Sequence, residues 1–67
     1  MGNYELRKID CLLGRKREKC LGSIAIARGN PVIIFRLGED GLVDVINSQG
    51  EIEYGWAASA VEAIVES

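Results

Sequence analysis

From Ser23 to Trp56 the chain runs only a few apolar residues at a time before a turn signal interrupts it, and that rhythm limits what it can fold into. Gly29-Asn30-Pro31, Gly38-Glu39-Asp40-Gly41 and Ser48-Gln49-Gly50 each gather residues that take positive φ or fold a short polar side chain back onto the backbone. The segments between them, residues 23–28, 32–37, 42–47 and 51–56, are rich in Ile, Val and aromatic residues. Short β-prone runs cut by turns at near-regular intervals predict an antiparallel meander. Pro31 falls at a strand start, where its missing N–H does least harm. In 42–47, Val43 and Val45 oppose Leu42, Asp44 and Ile46; in 51–56, Ile52, Tyr54 and Trp56 share a face opposite Glu51 and Glu53.

The period changes after Trp56. Ala57, Ala60, Val61, Ile64 and Val65 fall on one helical stripe, alanine is the best helix former, and Ser59 with Glu62 has capping-box spacing. A short C-terminal helix over 57–66 is expected, packed on the sheet. Residues 3–22 support two readings. As a helix, Asn3 caps, Leu6, Ile9 and Leu13 stack by turns, and Gly14 stops it. As a strand pair, 4–13 and 19–28 form a hairpin around Gly14-Arg15-Lys16-Arg17-Glu18, with a bulge where the phase switches between Leu6 and Ile9. The strand pair is favoured because the meander leaves a sheet edge to be covered. The expected fold is α+β and mostly β. It is a five-stranded antiparallel meander or open SH3-like barrel over residues 4–56 plus the C-terminal helix, all in one domain over 1–67.

Sixty-seven residues supply a small core, which at this size rarely nets more than about 3–5 kcal/mol. A composition of 48% hydrophobic and 27% charged residues is that of a folded chain rather than a disordered one. No apolar run approaches the length of a membrane span, and no secretory signal is evident, so the expected location is the cytoplasm. Met1-Gly2 suggests myristoylation, but Leu6 stands where that signal takes Ser or Thr.

The charge is strongly polarised. All eight Lys and Arg residues lie in 1–36, while seven of the ten acids lie in 37–67, giving segments of +5 (eight against three) and −7 (none against seven). Such asymmetry points to a charged partner or to self-association. Arg15, Lys16, Arg17 and Lys19 crowd one expected turn and could neutralise phosphates in a nucleic acid. Two features weaken that reading. Alternate hairpin turns share an end of a sheet, which brings the acidic turn at 38–41 to the basic one, and no aromatic residue is interleaved with the cations.

Catalysis finds little support. The chain has no histidine, hence no imidazole base, no Ser-His or Cys-His pair and no ordinary metal triad. Glycine spacing excludes a phosphate loop, and Asp40, Asp44 and Asn47 miss calcium-loop spacing. Cys11 and Cys20 are two ligands where a structural zinc needs four, so no cofactor is expected. In a hairpin centred between Arg15 and Lys16 they would face each other across the strands and could form a disulfide, although free thiols are the expectation in the cytoplasm.

These features lead to an expected non-catalytic protein–protein interaction module that self-associates as a homodimer or binds a protein partner, with Phe35, Tyr54 and Trp56 as aromatic anchors. Nucleic-acid binding through residues 15–19 is the alternative, and an inhibitor or modifier of a larger enzyme is a third class without a feature of its own.

Overall fold

The computed structural model describes residues 2–66; Met1 and Ser67, and with them the ends of the expected domain and the start of the Met1-Gly2 pair, lie outside the described residues. Six strands form one open antiparallel sheet: β1 (Tyr4–Lys8), β2 (Ile24–Ala27), β3 (Asn30–Leu37), β4 (Leu42–Ile46), β5 (Ile52–Ala57) and β6 (Val61–Glu66), in the order β1-β6-β2-β3-β4-β5. A five-residue helix, α1 (Gly14–Glu18), and two single 3-10 turns at Ile9–Cys11 and Ala58–Ala60 complete it.

The meander β2–β5 forms where the turn signals place it. Its first turn is tighter than the glycine-asparagine-proline signal implies. Ala27 pairs with Asn30, leaving Arg28 (φ 52°) and Gly29 (φ 77°) as a two-residue loop with both centres left-handed, the type I′ geometry that matches strand twist. Pro31 pairs with Ile26 toward β2, while pairing with β4 begins only at Ile33, so the absent N–H breaks no ladder there. At the second turn Asp40 Oδ1 accepts the Leu42 N–H at 3.1 Å, and at the third Asn47 Oδ1 accepts from Gln49 and Glu51.

Three expectations are overturned. Residues 57–66 are not a helix: Ala57 ends β5, Ala58–Ala60 make a 3-10 turn, and Val61–Glu66 is a strand between β1 and β2. Val61, Ala63 and Val65 point inward while Glu62, Ile64 and Glu66 point outward, so the same residues also satisfy a period of two. Hydrogen-bonding strands on both sides, together with three β-branched residues, outweigh the alanine propensity. The hairpin of 4–13 with 19–28 is also absent. β1 stops at Lys8, pairs with β6, and hands the phase switch to the 3-10 turn, which drops Ile9 into the core. Finally, there are six strands rather than five, in an open sheet.

On β2 and β6 the inward residues are mostly alanines, and Ile9 and Leu12 from the connections fill the space over them. Ala25, Ala27 and Ala63 are buried on β2 and β6, and Ile9, Leu12, Cys20 and Ala58 join them in one core with Val32, Ile34, Val43, Val45 and Val61. Ile24 and Ile26 alternate with the alanines of β2, but the isoleucines are on the outer face and the alanines face the core. This allocation leaves room for Ile9 and Leu12 to close over the sheet.

Among the described residues Asp44 is the one buried charged residue, 6% exposed at an outward position on β4. Both neighbouring strands bulge opposite it: β3 gains Phe35 between the Ile34–Val45 and Arg36–Asp44 pairs, and β5 gains a residue at Tyr54-Gly55, where Gly55 takes φ 74°. The Asp44 carboxylate holds both: Oδ1 accepts the Gly55 N–H at 2.9 Å and Oδ2 meets Arg36 Nη1 at 3.4 Å. Asp44→Ala is expected to lower the unfolding free energy by about 1–3 kcal/mol by stranding the Gly55 donor, with Asp44→Asn milder, measured by urea denaturation.

Candidate interaction surface

The strand register brings together a set of residues on the outer face that no segment of the sequence displays by itself. Leu6 pairs with Ile64, Ile24 with Ile33, Ile33 with Ile46, and Ile46 with Ile52. One step beyond the Ala25–Ala63 pair, the same register sets Ile64 beside Ile24. A single apolar row therefore crosses all six strands, Leu6–Ile64–Ile24–Ile33–Ile46–Ile52. Five of these side chains are between 41% and 55% exposed and Ile46 is half-buried. Monomers seldom leave so continuous an apolar stripe in water. Completing the burial of each such side chain would contribute roughly 0.7–1.5 kcal/mol, half the value for a fully exposed one.

Phe35 and Tyr54 extend the surface along the same face. Their rings meet edge to face, with centroids 6.3 Å apart, and Tyr54 is 73% exposed. Charge lies around the apolar row: Lys8 pairs with Glu62 across β1 and β6, and Glu66 lies opposite Tyr4.

Trp56, expected beside Tyr54, is on the other side of β5. The bulge at Tyr54-Gly55 adds one residue, so Trp56 pairs with Val43 and Glu53 with Val45, both inward. Trp56 packs partly against the core, and Arg28 lies over its ring at 5.6 Å. Its Nε1 donates to Glu53 Oε1 at 2.8 Å, and Asn47 Nδ2 donates to Glu53 Oε2 at 2.8 Å. With Asn30 and Gln49 they line a shallow cleft of about 390 Å³. The bond from Asn47, then that from Trp56, holds the Glu53 carboxyl below its ordinary range, with Arg28 assisting and partial desolvation opposing.

The basic segment is a helix rather than a turn. Arg15, Lys16 and Arg17 lie in α1 and Lys19 just beyond it, with Arg15, Lys16 and Lys19 exposed. Arg17 Nη2 donates to the Gly38 carbonyl at 2.9 Å, so the basic helix and the acidic 38–41 turn touch, although α1 lies in the crossover from β1 to β2 and not in a hairpin of the meander. Lys16 and Lys19 also border a cleft of about 430 Å³ against Ile64, Val65 and Glu66.

Cys11 and Cys20 are free, the first exposed and the second buried. No β-hairpin joins their segments, and the cross-strand geometry a bridge required does not form. Cys20 Sγ lies 3.3 Å from the Lys16 carbonyl, and burial pushes its thiol up, partly countered by Arg17. Among the described residues no group of three or more His, Cys, Asp or Glu is placed to hold a metal, and no helix is long and apolar enough to cross a membrane.

Phe35 and Tyr54 were legible as aromatic residues in strands; the apolar row was not, because it exists only once five registers are known. No protein-family model matches the chain, and no curated protein or solved structure is significantly similar to it.

Because Glu53 titrates lower in the folded state than its ordinary 4.5, its contribution to stability is present above that value and is lost as the pH falls through the lowered one. Denaturation midpoints taken from pH 7 to pH 3 are expected to fall more steeply for the natural chain than for Glu53→Gln, in which the group no longer ionises.

Proposed function

We propose that this chain is a small, non-catalytic protein–protein interaction module that self-associates, with the outer face of its sheet as the contact surface. The observation that carries the reading is the apolar row across six strands, flanked by the Phe35–Tyr54 pair and bordered by charge. A small core explains why association would be favoured: covering the row adds apolar burial that 67 residues cannot supply internally. Phe35 and Tyr54 act as the aromatic anchors, and Trp56 stands behind them as support for β5. The simplest assembly is a dimer. A cytoplasmic setting belongs to the proposal, because an exposed free thiol at Cys11 persists best where thiols stay reduced.

Nucleic-acid binding through Arg15, Lys16, Arg17 and Lys19 is the weaker reading. Arg17 is engaged with Gly38, and Glu39 and Asp40 follow in the same turn, which reduces the field a phosphate backbone would meet.

Light-scattering chromatography in reductant, at low and high salt, tests the proposal. A mass of two or more chains that survives high salt is expected, because an apolar contact is not screened. Ile33→Lys, placing a charge mid-row at an exposed position, is expected to weaken association at least about tenfold. A monomer at both salts would refute self-association. An oligomer indifferent to Ile33→Lys would remove the row from the contact.

A further inference from the structure

The two edges of the sheet are built differently. β5 carries the bulge at Tyr54-Gly55, a usual protection against strand addition. β1 carries no bulge, proline or glycine, and its five pairs to β6, from Tyr4–Glu66 to Lys8–Glu62, run without a register shift; its protection is charge, Glu5, Arg7 and Lys8, which repels an unmatched strand but not one of matching charge. Its opposite side presents unpaired backbone to a further strand.

The sequence of β1, Tyr4-Glu5-Leu6-Arg7-Lys8, is complementary to its own reverse. Laid antiparallel to a second copy and centred on Leu6, it sets Leu6 against Leu6, Glu5 against Arg7 and Arg7 against Glu5, with Tyr4 facing Lys8 at both ends. Centring one residue earlier would put Glu5 against Glu5; one residue later, Arg7 against Arg7. Like charges directly opposite destabilise a pair of strands and opposite charges stabilise it, so the charges select one register of the three. Within one chain Glu5 and Arg7 already form an ion pair at 2.8 Å on one face of the strand, both side chains about half exposed, and they can re-pair across strands without crossing the sheet.

We infer that β1 is an edge for strand addition whose occupant is β1 of a second copy, paired antiparallel about Leu6. The contact is isologous, as a twofold requires. It also joins the two apolar rows end to end, because Leu6 is the last residue of each. The twofold of this contact runs normal to the sheet, whereas that of a face-to-face contact lies in the plane of the sheet. Perpendicular twofolds that meet close a tetramer. The edge contact is therefore separate from the outer-face contact and stands without it.

Cross-linking separates the two. In a Cys11→Ser background, where the remaining Cys20 is buried, Leu6→Cys and Tyr4→Cys are compared under mild oxidation on a non-reducing gel. Facing residues of an antiparallel pair have Cα atoms about 4.5–5.5 Å apart, within disulfide reach, while two Tyr4 positions would be about 14 Å apart. Leu6→Cys is expected to cross-link several-fold faster than Tyr4→Cys, and to do so equally when combined with Ile33→Lys. In the same Ile33→Lys chain, Glu5→Lys or Arg7→Glu alone is expected to weaken the dimer about tenfold, and the two reversals together to restore it. Equal rates at positions 4 and 6, or no rescue by the double reversal, would overturn the inference. If the natural chain is an oligomer and Leu6→Cys shows no preference, the edge inference fails and the self-association reading stands. A natural chain of monomer mass would end both.

Discussion

The carboxylate of Asp44 determines which way the second half of the sheet presents its side chains. β3 and β5 each gain a residue opposite it, and its two oxygens hold the bulged strands on either side through Arg36 and the Gly55 N–H. A carboxylate at 6% exposure is tolerated because both oxygens are partnered. The extra residue in β5 sends Trp56 inward to Val43 while Ile52 and Tyr54 remain outside; the extra residue in β3 sets Phe35 where it meets Tyr54. Both the core contact of Trp56 and the aromatic end of the outer face follow from that one side chain.

Around this point the core follows a rule of complementary sizes. Strands β2 and β6 turn alanines inward, and the 3-10 turn at Ile9–Cys11 and the segment after it supply Ile9 and Leu12 to fill the space. The larger residues of β2 and β6, Ile24, Ile26 and Ile64, are then on the outer face. The outward position of these isoleucines is the consequence of alanines facing the core on β2 and β6.

Much of this was legible in the sequence, and what was not has identifiable physical causes. The β2–β5 meander, its three turns and the Asx role of Asp40 follow from local signals, since turn residues and alternating β-branched residues act over a few positions. The strand at Val61–Glu66 was not legible because its residues satisfy helical and strand periods equally, and the choice is made by β1 and β2, about 35 to 60 residues away in the chain. Trp56 was assigned to the wrong face because a bulge shifts alternation by one, and only Gly55 hints at it. The basic run at 15–19 was visible, as was its proximity to the acidic turn; that it forms a helix tied to Gly38 through Arg17 was not. The apolar row escaped because each of its members is an unremarkable strand residue until the registers align them.

The proposed self-association requires that row to be covered by a second copy of the chain. The most direct measurement labels the isoleucine methyl groups and follows their attenuation by a soluble paramagnetic probe as the protein is diluted. Ile9 and Ile34, buried in the core, serve as the protected reference. The account predicts that Ile24, Ile33, Ile46, Ile52 and Ile64 approach that reference at high concentration and become accessible on dilution. Row methyl groups that are bleached equally at every concentration would contradict it.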